Sequence, residues 1–357
     1  MKLSQRLLAL TLVIVFILAS CKGNNSKNNN SALKAPVTYS ASDTADFDNL
    51  AFKQIIAKAL NVAADNLTYG DLSKIEGLSI NYYAERTSNT SEYKDVWNVI
   101  VMRNGYQKVF NEYYAVPADE RNGLESPENY SYYEQLEEFN GYEDLKALTE
   151  LRSLSFNSEY MILGLNPIEY ITNLKKLESL SIYNYVIPDL EFIVNFPELK
   201  ELNIGINQRN IPAGETIEYI EELTPLQALT KLERLSLSGN SVSDLSPLAS
   251  LEKLSTLTVD WAALTDITPI EQLKNLTSLT LRHNGISDVT PISKLSKLEY
   301  ITLDYNFISD ISPFAQLNPD VVKFVSVEMN LVEDTEPLRH IGKERVNFGY
   351  EPLWDFE

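Results

Sequence analysis

Thiols are almost missing from this chain: 357 residues contain one cysteine, Cys21. A single thiol makes no intramolecular disulfide and no thiolate metal cage, so packing must hold the fold together. Histidine is nearly as scarce. His283 and His340 are the only two, and their separation gives no paired-histidine metal spacing. A glycine-rich phosphate loop and a nucleophile elbow are missing too. Positive charge is in deficit, with 30 Lys and Arg against 50 Asp and Glu and a net charge of -20. That balance sets nucleic acid and anionic membrane surfaces against repulsion and steers basic partners inward, although it also serves solubility. Beyond the N-terminus there is no long apolar run. The one present, residues 7–19 behind Lys2 and Arg6, is too short to span a bilayer comfortably but suits a secretion signal.

What the chain does have is a repeat. Segments opening at Leu229, Leu251, Leu273 and Leu295 follow one another at 22 residues and carry apolar side chains at offsets 0, 3, 6, 8, 13, 16 and 19. A unit with one fixed apolar face buries it only against copies of itself, which predicts a stacked solenoid. Leu235, Leu257, Leu279 and Ile301 form one core column; Leu237, Val259, Leu281 and Leu303 form a second. Around Leu235 the alternation has period two, the signature of a short strand with one face inward. Asn240, Asn284, Asn306 and Asn330 follow three residues after the second strand position. There an inward amide can bond backbone groups that the turn leaves unpaired, and stacked amides can bond one another. Asp244, Asp266, Asp288, Asp310 and Asp334 each precede a proline by three, as suits entry into a short helical turn.

These strings resemble the 22-residue leucine-rich repeats of bacterial internalins. The resemblance implies an α/β leucine-rich-repeat solenoid, with a curved parallel sheet on the concave face, short helical turns on the convex face and an N-terminal helical cap. Upstream the register loosens, with Tyr185 at an asparagine position and 11 extra residues in the unit from Phe196. Ala262 is a second departure in the asparagine column. Residues 47–60 have helical apolar spacing through Phe47, Leu50, Ile55, Ile56, Ala59 and Leu60, like the cap of internalin arrays. Asn104 and Gly105, between residues 96–102 and 106–114, signal a two-residue hairpin, and residues 115–142 read as an irregular loop. The run ending at Cys21 resembles the lipobox of bacterial lipoproteins, which implies cleavage before Cys21 and acylation of its thiol. Removing Lys2 and Arg6 with the signal takes the net charge from -20 to -22. The expected organisation is a signal peptide over 1–20, a tether over 21–46, and an N-terminal cap with a first strand and inserted hairpin over 47–147. A repeat array over 148–341 and a C-terminal cap over 342–357, with Phe348, Tyr350, Trp354 and Phe356, complete it.

Residues at one offset line up on the outward sheet face, because adjacent strands lie about 4.8 Å apart. Offset 10 reads Ile206, Gly239, Trp261, His283, Tyr305 and Met329; offset 9 carries Asp260, Arg282, Asp304 and Glu328; offset 5 adds Tyr300 and Phe324. Outward aromatics around an arginine have the composition of an interaction hot spot. The expected site is therefore Asp260, Trp261, Arg282, His283, Tyr300, Asp304, Tyr305, Phe324 and Glu328. The plain alternative is surface decoration, with Asp260, Arg282 and Asp304 pairing along the column for little gain. The expected function is that of a lipid-anchored protein on the outer surface of a bacterium that binds an extracellular or host protein, with adhesion as the narrower role and no cofactor or metal. A glycan ligand is the alternative, since aromatics beside Asp and Arg also suit sugar rings. A hydrolase would need His283, Asp260, Asp304 and a neighbouring hydroxyl as a triad. The insertion at 207–224 and the predicted hairpin flank the same face.

Overall fold

The structure is a computed structural model that describes residues 40–86, 93–102, 131–136, 141–162, 166–211 and 217–349. The signal segment, Cys21, the Asn104 and Gly105 turn with residues 106–114, and Tyr350, Trp354 and Phe356 lie outside the described residues. The described chain falls into two compact units, one holding residues 40–185 and 195–198, the other 186–194 and 199–349.

In the first unit, strands β1 (Gly77–Arg86), β2 (Tyr93–Met102), β3 (Ser131–Leu136), β4 (Ser153–Ile162) and β5 (Ser179–Tyr185) form a sheet of order β5-β4-β1-β2-β3. The repeat strands run parallel, with Leu78 beside Leu154 and Leu154 beside Leu180. Beyond β1 the sheet turns antiparallel, β1 to β2 and β2 to β3. Here the structure departs from the sequence reading. The edge of residues 97–102 that the Asn104 and Gly105 signal assigned to residues 106–114 is taken by β3, which lies in the stretch read as loop. A local turn signal is weak against a distant strand that completes the pairing. Helix α1 (Leu50–Ala59) starts at Asn49, whose side chain accepts from the Phe52 amide, and buries Phe52, Ile55, Ile56 and Ala59. Leu50, expected inward, is 70% exposed in the first turn. A second short helix, α2 (Tyr69–Leu72), opens on a reciprocal cap between Thr68 and Asp71, satisfying donors that a helix start leaves free. The Asp48 and Asn49 amides donate to the Asp144 carboxylate at 2.7 and 2.9 Å, tying the entry of α1 to the 3₁₀ turn Glu143–Ala147.

The second unit contains the regular repeats. Strands β6 (Glu201–Gly205), β7 (Arg234–Ser236), β8 (Thr256–Thr258), β9 (Ser278–Thr280), β10 (Tyr300–Thr302), β11 (Phe324–Ser326) and β12 (Val346–Asn347) are parallel neighbours in that order. Leu202, Leu235, Leu257, Leu279, Ile301 and Val325 stand in register across six of them, all buried. Each such side chain contributes about 1.5–3 kcal/mol on burial. Between strands each coil passes through a 3₁₀ turn with proline near its start, as at Ser246–Ser250 and Thr268–Gln272. From Asp244 onward the aspartate two residues before each turn accepts a backbone amide, Asp244 from Ser246 at 2.7 Å and Asp310 from Ser312 at 2.8 Å.

The asparagine column lies inside, as its position implied. Asn306 accepts from the Ile286 amide at 3.1 Å and donates to the carbonyls of Leu281 and Leu303 at 2.8 and 2.9 Å. Asn284 and Asn330 repeat the arrangement one unit before and after. These amides bond backbone in their own and the preceding coil, so the ladder runs through main chain rather than amide to amide. In the first unit, where Tyr185 replaces asparagine, Asn184 donates to the Ser158 carbonyl at 2.8 Å from one position earlier, and Tyr185 fills the core against Phe156.

Candidate functional site

A strand that alternates with period two puts offsets 6, 8 and 10 inward. The repeat needs offset 11, the asparagine, inward instead. The phase slips at offset 10, where Gly239, Trp261, His283, Tyr305 and Met329 all have left-handed backbones, with φ of 81°, 55°, 54°, 57° and 55°. From Gly239 to Tyr305 each still donates its amide to the next coil, Trp261 to the Arg282 carbonyl at 3.0 Å and His283 to that of Asp304 at 3.0 Å. Glycine takes this conformation freely, whereas a bulky residue gives up roughly 1–2 kcal/mol. Four successive units hold large side chains where glycine fits best.

The slip throws those side chains to the rim of the outward face, where they stack. Trp261 and His283 rings lie 3.6 Å apart at 15°, and His283 and Tyr305 rings 4.2 Å apart at 16°. Both faces of His283 and one face each of Trp261 and Tyr305 are thus taken up within the stack. Burial within it, followed by the nearby Arg209 and Arg282 charges, lowers the His283 pKa from 6.5 to about 4, so the ring is neutral at physiological pH.

The acidic members of the site hold backbone. The Asp260 carboxylate accepts the Arg282 amide at 2.7 Å. That of Asp304 accepts from the Ser326 hydroxyl at 2.5 Å and the Glu328 amide at 2.9 Å. Burial raises the pKa of both, opposed for Asp260 by the Arg282 amide and for Asp304 first by the Ser326 hydroxyl. Of the pairing expected along this column, Arg282 Nε reaches Asp304 Oδ2 at 3.7 Å, a contact of small energy on an exposed side chain. Tyr300 and Phe324 sit side by side on β10 and β11, 45% and 37% exposed, and the Lys323 ammonium lies 5.6 Å from the Tyr300 ring centre. Thr302 and Ser326, paired in register on β10 and β11, are buried. The triad drawn for a hydrolase is not assembled: His283 Nδ1 is buried without a hydrogen-bond partner, while Asp260 and Asp304 bond backbone and Ser326. Among the described residues no group of three His, Cys, Asp or Glu is arranged to hold a metal ion.

One expectation at the near end of the column changes. Ile206 is buried rather than outward, because the chain leaves the repeat there without the left-handed step. Asn207 caps the 3₁₀ turn Gln208–Asn210, accepting the Arg209 amide at 3.2 Å. Sequence reasoning missed what that turn brings. Gln208 Nε2 donates to the Gly239 carbonyl at 3.0 Å, and the Arg209 guanidinium lies 5.8 Å from the Trp261 ring centre. The available signal was Gly239 itself, a gap in an otherwise bulky column. A Cβ there would stand 1.9 Å from the Ile206 carbonyl oxygen.

Residues 274–316 match the family described as leucine rich repeats in two copies. No curated protein matches the sequence. Among solved structures the chain is similar to an internalin, inlF, of Listeria monocytogenes, at 19% identity and a TM-score of 0.52, covering 85% of this chain and 76% of that one. It is also similar to internalin C2 of the same organism, at 22% identity and a TM-score of 0.49 over 79% of this chain and 94% of that one. A leucine-rich-repeat protein of Leptospira interrogans matches at 23% identity and a TM-score of 0.44, over 57% and 56%. The inlF likeness shows the fold: an internalin-like leucine-rich-repeat solenoid.

Proposed function

From this internalin-like leucine-rich-repeat fold, we propose a lipid-anchored bacterial surface protein that binds another protein through the outward face of its repeat sheet and serves adhesion. Residues 1–20 are the signal, the lipid sits on Cys21, residues 21–46 tether the array to the membrane, and residues 47–147 and 342–357 cover its ends. Asp260, Trp261, Arg282, His283, Tyr300, Asp304, Tyr305, Phe324 and Glu328 form the docking surface.

The observation that carries this reading is the column of bulky left-handed residues from Trp261 to Met329. It holds strain outside the leucine core, and strain of that kind concentrates at functional sites. Exposed Tyr300 and Phe324 beside it extend an apolar area rimmed by charge, the composition of a protein interface centre. A glycan ligand fits less well, because sugars stack on ring faces and most of the faces in this column are already taken up by one another or by Arg209.

The test compares wild type with Tyr300→Ala plus Phe324→Ala, which leaves the core untouched, and with Trp261→Ala plus Tyr305→Ala. Binding to purified extracellular-matrix proteins and to a glycan array is measured for each. Saturable protein binding lost in both variants is expected, with the first variant melting as wild type does. Unchanged protein binding in the variants, or binding to glycans alone, would overturn the proposal.

A further inference from the structure

Arg209 stands apart from the other arginines whose side chains are described. Arg152, Arg234, Arg282, Arg339 and Arg345 each lie beside a carboxylate, of Glu178, Glu201, Asp304, Glu336 and Glu344. No carboxylate of the described residues pairs with Arg209, in a chain where acidic residues outnumber basic ones 50 to 30. Its guanidinium instead covers the Trp261 ring at 5.8 Å and is exposed.

The placement is built rather than incidental. Gly239 leaves a notch in the column that no other residue could leave, since its φ is +81° and a Cβ would meet the Ile206 carbonyl oxygen at 1.9 Å. Gln208 reaches into the rim at this point, donating to the carbonyls of Gly239 at 3.0 Å and Trp261 at 3.5 Å. Asn207 fixes the turn from the other side through the Arg209 amide. The guanidinium is thereby held over the Trp261 ring at the end of the stack, exposed and paired with no carboxylate of the described residues. A guanidinium so held presents a planar fork matched to a carboxylate, and fixing it in advance reduces the entropy lost on binding. Arg282, also exposed, brings a second guanidinium to the same column, and both act on His283.

We propose that Arg209 is the recognition point for a side-chain carboxylate, an Asp or Glu of the protein partner set down beside the ring column. The inference rests on the docking surface proposed above. The acidic chain as a whole repels an acidic partner at long range, so this contact acts at short range and selects partners rather than attracting them.

The test uses a phage-displayed library of random peptides selected on the full chain. Selected peptides are expected to share an Asp or Glu whose replacement by Asn or Gln weakens binding about tenfold, or about 1.4 kcal/mol. Arg209→Gln is expected to cause a similar loss, Arg209→Lys a smaller one, and the peptide and protein changes together little more than either alone. The melting temperature should stay where it is. Peptides that need Trp261 and Tyr300 but carry no acidic residue, or show additive losses, would overturn the inference and leave the docking surface standing. Peptides indifferent to Trp261→Ala and Tyr300→Ala would overturn both. Dextran sulfate is the second probe: Arg209-dependent binding of it without any acidic peptide would assign the site to sulfate esters and also overturn the inference.

Discussion

Replacing Asn306 with leucine keeps the side chain's size and removes its amide. Two buried backbone groups then lose their partner, the Ile286 N–H at 3.1 Å and the Leu281 carbonyl at 2.8 Å, while the Leu303 carbonyl keeps its bond from Asn330 at 2.9 Å. Asn306 is fully buried, so water does not replace the amide. Two unpaired groups cost about 2–6 kcal/mol, and an apolar side chain in place of the amide returns about 1.5–3 kcal/mol. The net is a loss of roughly 1–3 kcal/mol, a sizeable part of the 5–15 kcal/mol typical of a domain. Urea unfolding followed by circular dichroism measures it. A second variant, Asn306→Asp, keeps the acceptor for Ile286 but points an oxygen at two carbonyls, so it must take up a proton and should be least stable at neutral pH. A leucine variant as stable as wild type would show that shape, not hydrogen bonding, fills this column, and would sink the argument.

Ala262 is a natural test of the same ladder: among the described residues the Val242 N–H has no acceptor, where the equivalent Leu264 amide has Asn284. Ala262→Asn should raise stability by about 1 kcal/mol in urea unfolding, and a loss would mean the cavity there excludes the amide. The His283 pKa, lowered from 6.5 to about 4, makes the unfolded chain the better proton binder between those values. Stability is therefore held above pH 6.5 and lost as pH falls toward 4. His283→Phe keeps a ring in the stack and should flatten that part of a pH series of unfolding midpoints; an unchanged slope would place the titration elsewhere. Cys21→Ser should abolish palmitate labelling and move the protein from the membrane fraction to the medium, and a variant that stays membrane-bound would refute the anchor.

The regular repeats were legible because one physical demand, a shared interior, recurs at fixed offsets. Leu235, Leu257 and Leu279, Asn240 and its copies, and the aspartates before each proline all stand where spacing put them. Less legible was anything the chain settles through distant partners. The edge of β2 goes to β3 rather than to a turn-linked neighbour, and Asn184 supplies the amide that Tyr185 lacks. Within the candidate site, alignment of the columns could be read, but not the left-handed step that turns offset 10 into a ring stack. Trp, His, Tyr and Met are unlikely hosts for that backbone, and only Gly239 hints at it. Arg209 was hidden because the repeat register stops at Asn207, so no offset argument reaches the insertion.

Hydroxyl-radical footprinting of the folded chain with a bound protein partner tests the central claim most directly. Protection of Trp261, Tyr300, Tyr305 and Phe324, spread over several consecutive coils, is the predicted result. Protection confined to the turns that carry Asp244, Asp266 and Asp288, with those four rings as reactive as in the free chain, would contradict it.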